Sequence, residues 1–239
     1  MTIPVDARLR EALESPSGSD RLKAALDAGT YPNPGFVEAL VQRCAIEPDF
    51  PVREMLTWAL LRHPASLTVP RLIVEVADGV AQGRGQALHT LSKIGDPAGW
   101  AAITPELLRD PDDDVARPAW RAAVILAPDD ARADVATTLA TQLSRGDRAV
   151  QHSLSRAFVA LGGSAAGALE DARAHTDPAV RMHAIASQRL IDEPDEGFDA
   201  ALFEAERIVV LGENLPGPRR VRRNRLLRDD LGSISANSR

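Results

Sequence analysis

Five histidines, one cysteine, a run of aspartates and a glycine-rich hexapeptide are the groups in this chain that could do chemistry. None of them makes a complete centre. His63, His89, His152, His175 and His183 include no pair at metal-ligand spacing, and no His-Glu-x-x-His is present. Cys44 is the single cysteine, so an intrachain disulfide and a thiolate zinc site are excluded. Asp110, Asp112, Asp113 and Asp114 begin like a calcium loop. That loop needs Gly at its sixth position and an acid at its twelfth, where Val115 and Arg121 stand. A helix-capping turn explains the aspartates better. Gly162-Gly163-Ser164-Ala165-Ala166-Gly167 fits neither a nucleophile elbow nor a phosphate loop. No acid, base and nucleophile are matched. The expectation is a protein without catalysis, cofactor or metal.

What remains is binding chemistry, carried by Trp58, His89, Arg117, Arg121, His152, Arg156 and Arg189. Arginine offers a planar fork of donors to carboxylates and phosphates, and Trp and Arg are enriched among interface hot spots. Whether these residues share a surface depends on the elements that carry them, and those elements recur. With Val115 as reference, the equivalent positions are Val52, Gly83, Val150 and Val180, at steps of 31, 32, 35 and 30 residues. A fixed period of this size marks a stack of helix–turn–helix units. Three residues before the reference lies Asp49, Asp112, Asp147 or Asp177, with Val80 the exception. One residue after it lies Arg53, Arg84 or Arg181, with Ala116 and Gln151 the exceptions. Apolar or small residues follow at offsets 4, 7, 8 and 11, one face of a helix. Each Asp is placed to cap a helix, and each Arg to pair with an Asp of its own or the neighbouring unit.

This Asp-x-x-Val-Arg signature at about thirty-residue spacing resembles HEAT repeats, including the short HEAT-like repeats of the phycobilisome-lyase type. The resemblance covers residues 36–211. It implies an all-α fold, a right-handed α-solenoid of stacked antiparallel helix pairs. It names no function, because such solenoids serve many unrelated jobs.

In such a stack the second helix of each pair lines the concave side. With the core at offsets 0, 4, 7 and 11, the opposite face takes offsets 2, 6 and 9, at about 100° per residue. Offset 6 gives Trp58, His89, Arg121 and Arg156, then Ala186. Offset 2 gives Arg117 and His152 beside Glu54, Gly85 and Met182. Offset 9 gives Arg189 after Leu61, Ser92, Val124 and Val159. The seven candidate residues therefore fall on one expected groove, basic and with an aromatic anchor. Trp120, at offset 5, is expected between helices.

The composition suits this architecture. The 239 residues are 44% hydrophobic and 26% charged, and the 4% aromatic content argues against a large β-sheet. The 26 arginines against two lysines read as the mark of a GC-rich bacterial genome. Net charge is −6, divided unevenly: residues 216–239 carry seven Arg and two Asp, a net +5, which leaves −11 on the rest. The N-terminus lacks a basic and then apolar leader, and no stretch reaches membrane-spanning length. A cytoplasmic location without membrane contact is the expectation.

Three regions follow. Residues 1–30 form an N-terminal helical cap, with helices expected over 5–14 and 20–28. Residues 31–211 form the repeats. The expected pairs are 36–46 with 52–63, 67–78 with 83–94, 97–109 with 115–126, 132–144 with 149–161, and 165–175 with 179–191. A closing helix follows over 198–211. Pro105 interrupts its helix, and Pro118 is expected in a first helical turn. The joint around Gly79, Gly83 and Gly85 lacks its Asp and is expected to be the loosest. Residues 212–239 form a basic, flexible tail with Arg219, Arg220, Arg222, Arg223 and Arg225.

The function expected is a protein–protein interaction scaffold or adaptor that presents its groove to a partner with an acidic surface. The alternative is nucleic-acid binding through groove and tail arginines, on an architecture like that of HEAT-like DNA glycosylases. No groove-facing catalytic Asp is identifiable for that role. A bilin lyase or other HEAT-type enzyme ranks behind both.

Overall fold

The computed structural model of the chain describes residues 5–211; residues 1–4 and 212–239, with the tail arginines, lie outside the described residues. The described residues are all-helical and contain no strand. Thirteen α-helices follow in order: α1 (Val5–Leu13), α2 (Gly18–Thr30), α3 (Phe36–Ile46), α4 (Phe50–Leu61), α5 (Ala65–Asp78), α6 (Ala81–Ile94), α7 (Pro105–Leu108), α8 (Asp113–Leu126), α9 (Arg132–Ala140), α10 (Arg148–Leu161), α11 (Ala166–Arg173), α12 (Pro178–Asp192) and α13 (Phe198–Leu211).

The aspartates expected as caps are at the helix starts. Asp112 accepts from the Asp114 amide, Asp147 from Val150 and Asp177 from Ala179. Asp49 also precedes its helix, but its carboxylate goes to Arg21 at 2.6 Å. The repeated arginines do something other than the expected pairing. Arg53 donates to the Glu47 and Pro48 carbonyls, and Arg181 to those of His175 and Thr176, so both latch the loop before their own helix. Arg84 alone of the three pairs with an Asp, Asp110 at 2.7 Å.

Two prolines break the expected third pair. Its first helix is a 3-10 turn over Pro97–Ala102 followed by the four-residue α7, because Pro105 has no amide to continue a ladder. Trp120 restores order there: its indole donates to the Leu108 carbonyl at 2.8 Å from a fully buried site. The second helix starts two residues earlier than expected, so Pro118 sits inside α8 and not in its first turn. Pro118 deprives the Asp114 carbonyl of its helical partner. That carbonyl faces Gly85 of α6, where any Cβ would stand 2.5 Å from it. Glycine is what allows α6 and α8 to close at this point.

The joint expected to be loosest is short and tied down. Gln82 donates to the Cys44 and Glu47 carbonyls, Arg84 to that of Val76, and buried Glu75 pairs with Arg71 at 3.0 Å. No side chain caps α6 where the Asp is missing; its own Gln82 and Arg84 reach out to neighbouring carbonyls instead.

Packing follows a regular succession. α2 packs on α4, α4 on α6, α6 on α8, α8 on α10, α10 on α12 and α12 on α13. α3 lies against α4, α5 and α6, α9 against α8, α10 and α11, and α11 against α12. One apolar cluster runs from Leu9 to Ala184, and a second joins Ile185, Ala186, Leu190 and Phe198 with Ala201 and Ala205 of α13. Cys44 belongs to the first cluster, and burial pushes its thiol up to about 12, so it is a core residue. No helix among the described residues is long and apolar enough to cross a membrane.

Candidate binding cleft between two helices

α8 and α10 are the elements that assemble most of the candidate residues. Asp112 and Asp147 fix where each helix starts, and hence which side chains share a row. On α8, Arg117 and Arg121 are four residues apart; on α10, His152 and Arg156 are as well. Residues four apart stand one above the other on a helix. The two rows form opposite walls of one cleft of about 360 Å³, with Val124 and Ile125 beside the α8 row and Ala157 and Ala160 beside the α10 row.

The charge in this cleft is uncompensated by the described residues. Among the described residues, no carboxylate lies within ion-pair distance of Arg117, Arg121 or Arg156. Arg121 reaches only the His89 ring, its nitrogen 3.4 Å from Nδ1. Arg121 and Arg156 are exposed and Arg117 is half-buried. Three guanidiniums on apolar walls can bind carboxylates or phosphates with paired, directed hydrogen bonds. The arginines give the site groups that bind and orient an anion, with the His152 imidazole and the Ser153 hydroxyl beside them.

The other candidates lie elsewhere. His89, on α6, is half-buried with Nε2 3.2 Å from Glu54. Burial holds its pKa below the ordinary imidazole range, against the raising effect of Glu54 and with Lys93 and Arg121. It adjoins the cleft through Arg121 but does not line it. Trp58 is on α4, packed over Gly29 of α2, with Arg62 above its ring at 6.0 Å. It packs at the α2–α4 contact with 36% of its surface exposed, and it does not line the cleft. Arg189 is held by Glu196 in a two-pronged pair, at 3.1 and 2.9 Å. Arg219, Arg220, Arg222, Arg223 and Arg225 lie outside the described residues.

Offset 9 is not uniform: Leu61 is exposed, and Val159 and Arg189 are half-buried. Ser92 and Val124 at that offset are buried, as are Gly85 at offset 2 and Ala186 at offset 6. Each of these helices touches the one before and the one after as well as its own pair partner. The flanks are therefore partly covered: on α8 the open stripe is Arg117, Pro118, Arg121 and Ile125, at offsets 2, 3, 6 and 10, whereas on α10 Val159 at offset 9 is half-buried too.

A second cleft, of about 530 Å³, adjoins the first and was not read from the sequence. His152, Arg156 and Ala160 line both. Its other walls are Val159, Leu190, Pro194, Glu196, Gly197 and Phe198. The Phe198 ring stacks on His152, centroids 5.1 Å apart and 14° from parallel, and meets His183 edge-on at 6.1 Å. The one available signal was a phenylalanine directly after Gly197 in a chain with so few aromatics.

Beneath α10 lies a closed polar cluster. His183 is fully buried; its Nδ1 accepts from the Ser144 amide at 2.9 Å, and Nε2 lies 3.0 Å from both the Gln151 carbonyl and the Ser155 hydroxyl. Ser155 also bonds Ser187 at 2.8 Å. Burial lowers the His183 pKa to about 4. Serine and histidine meet here without access to a substrate, and the imidazole lone pair is already taken, so the cluster ties α10 to α12.

Compared with known proteins, the chain matches no family model and no curated protein.

Proposed function

We propose that the chain is a HEAT-like, right-handed α-solenoid of stacked antiparallel helix pairs that works as a non-catalytic scaffold, holding an acidic segment of another protein over α8 and α10. Residues 1–30 would cap the stack and residues 31–211 would form it. The thirty-residue recurrence and the succession of contacts from α2 to α13 support the architecture. The observation that carries the function is the set Arg117, Arg121 and Arg156, unpaired among the described residues and lining one cleft. Structural arginines in this chain are engaged, as Arg21, Arg84, Arg145 and Arg189 are. A nucleic acid would meet the same guanidiniums, but it would also face a body that carries −11 outside the tail.

The test is capture of partners from a lysate of the native cells, with and without nuclease, by the wild-type chain and by Arg121→Glu/Arg156→Glu. The expected result is an acidic protein that survives nuclease and is lost on charge reversal. Recovery that vanishes with nuclease would replace the protein partner with a nucleic acid. A variant that captures the same species as wild type would remove the cleft from the account.

A further inference from the structure

We propose that the segment held over Arg117, Arg121 and Arg156 also carries a bulky apolar side chain, about three residues away, that enters the neighbouring cleft between α10 and the α12–α13 corner. This rests on the reading of the first cleft as an acidic-peptide site and adds a second determinant of specificity to it.

The two clefts share one wall. His152, Arg156 and Ala160 lie four residues apart along α10 and border both spaces, so this stripe of α10 is the ridge between them. The chemistry changes across the ridge. On the α8 side stand two more arginines, Arg117 and Arg121. On the other side stand Val159, Leu190, Pro194 and Phe198. The one acid on that side, Glu196, is taken up by Arg189. The apolar wall is already in place: Phe198 is held between the rings of His152 and His183. A preformed apolar wall loses little freedom when a side chain lands on it.

The spacing follows from geometry. Packed helices stand about 8–10 Å apart. Spaces on either side of one helix are therefore separated by about that distance. An extended chain covers about 3.3–3.6 Å per residue, which places the two determinants about three residues apart. Acidic residues give attraction and orientation, and the apolar residue gives burial.

The probes are fluorescein-labelled peptides with three consecutive acidic residues and a leucine three positions before or after them, compared with the same peptides carrying serine in place of leucine. Binding is read by anisotropy on the full chain. We expect a leucine peptide to bind at least about tenfold more tightly than its serine form. That preference should vanish in Val159→Ser and in Pro194→Ser, while both peptides should lose affinity in Arg121→Glu/Arg156→Glu. Pro194 is exposed in a loop, so its variant keeps the test open if Val159→Ser melts early. Equal affinity of leucine and serine peptides for the wild-type chain would overturn the proposal, as would a leucine preference that survives in the Pro194 variant. Binding that is absent, or indifferent to Arg121→Glu/Arg156→Glu, would overturn the acidic-segment reading itself, and this one with it.

Discussion

Arg117, Arg121 and Arg156 differ from Arg189 in what stands opposite them. Glu196 satisfies Arg189 within the fold, whereas the first three meet no acid among the described residues. The buried charges Arg21, Glu47, Glu75 and Asp110 are each paired. Glu47 has no exposed surface, and burial alone would raise its pKa; Arg21, the Asp49 amide and Arg43 hold it down to about 2. Its carboxylate joins α2 to the loop between α3 and α4. Glu47→Gln should cost about 3 kcal/mol and lower the melting temperature by roughly 6–12 °C. An unchanged melt would show that the network contributes nothing net. Because the folded pKa of Glu47 is depressed, its contribution is present above the ordinary carboxylate pKa and is lost as pH falls toward about 2. His183 acts in a higher window. Its folded pKa is about 4 against an ordinary 6.5, so the native state resists a proton that the unfolded chain accepts. Stability should therefore fall by roughly 3 kcal/mol as pH drops from 6.5 to 4. His183→Gln should flatten that slope in thermal melts taken across the range, whatever it does to stability at pH 8. A slope that persists in the variant would place the titration elsewhere.

At the scale of elements, the decisive contact is between α6 and α8. Pro118 frees the Asp114 carbonyl, and Gly85 lets it approach. Gly85→Ala should cost about 1–3 kcal/mol by overpacking, although alanine is the better helix former. A stabilised variant would mean that the two helices can part without penalty. The same contact shows what a sequence reveals at this level. The caps Asp112, Asp147 and Asp177 were legible because a cap is a local device that acts within three residues. The bounds of α3 were legible as well, although no side chain caps it. The break-up of residues 97–109 was only partly so: Pro105 announced an interruption, but the close packing of Gly99, where a side chain would crowd Leu91 and Leu126, exists only in the fold. The Arg21–Glu47 pair spans 26 positions and has no local signature.

At the scale of the whole molecule, the recurrence of about thirty residues was enough to indicate the all-helical structure of the described residues. It was not enough to give the surface. The 100° rule places side chains around an isolated helix, but each second helix here has neighbours on both flanks, and those bury Ser92 and Val124 at offset 9 while Leu61 stays exposed. Four of the seven candidates, Arg117, Arg121, His152 and Arg156, still came together, because offsets 2 and 6 lie at the centre of the open stripe. Arg189 went to a partner in another element, Glu196 of the loop before α13, and Trp58 lies over Gly29 of α2, exposed but away from the cleft. The second cleft was illegible because Leu190, Pro194 and Phe198 meet α10 only through the fold. The charge division is sequence-level and bears on association: a body of −11 with a local arginine cluster favours a small acidic element over an extended polyanion.

The most direct test of the central claim is photo-crosslinking from inside the cleft. A photoreactive phenylalanine analogue replaces Ser153, which lines the α8–α10 cleft, and in a control chain Asp134, which is exposed on α9. Both chains are irradiated in a lysate of the native cells, and the adducts are identified by mass spectrometry. The account predicts an adduct with an acidic protein segment from position 153, none from position 134, and loss of the first when Arg121→Glu/Arg156→Glu is added. Equal adducts from both positions, or an adduct at 153 that ignores the charge reversal, would contradict it.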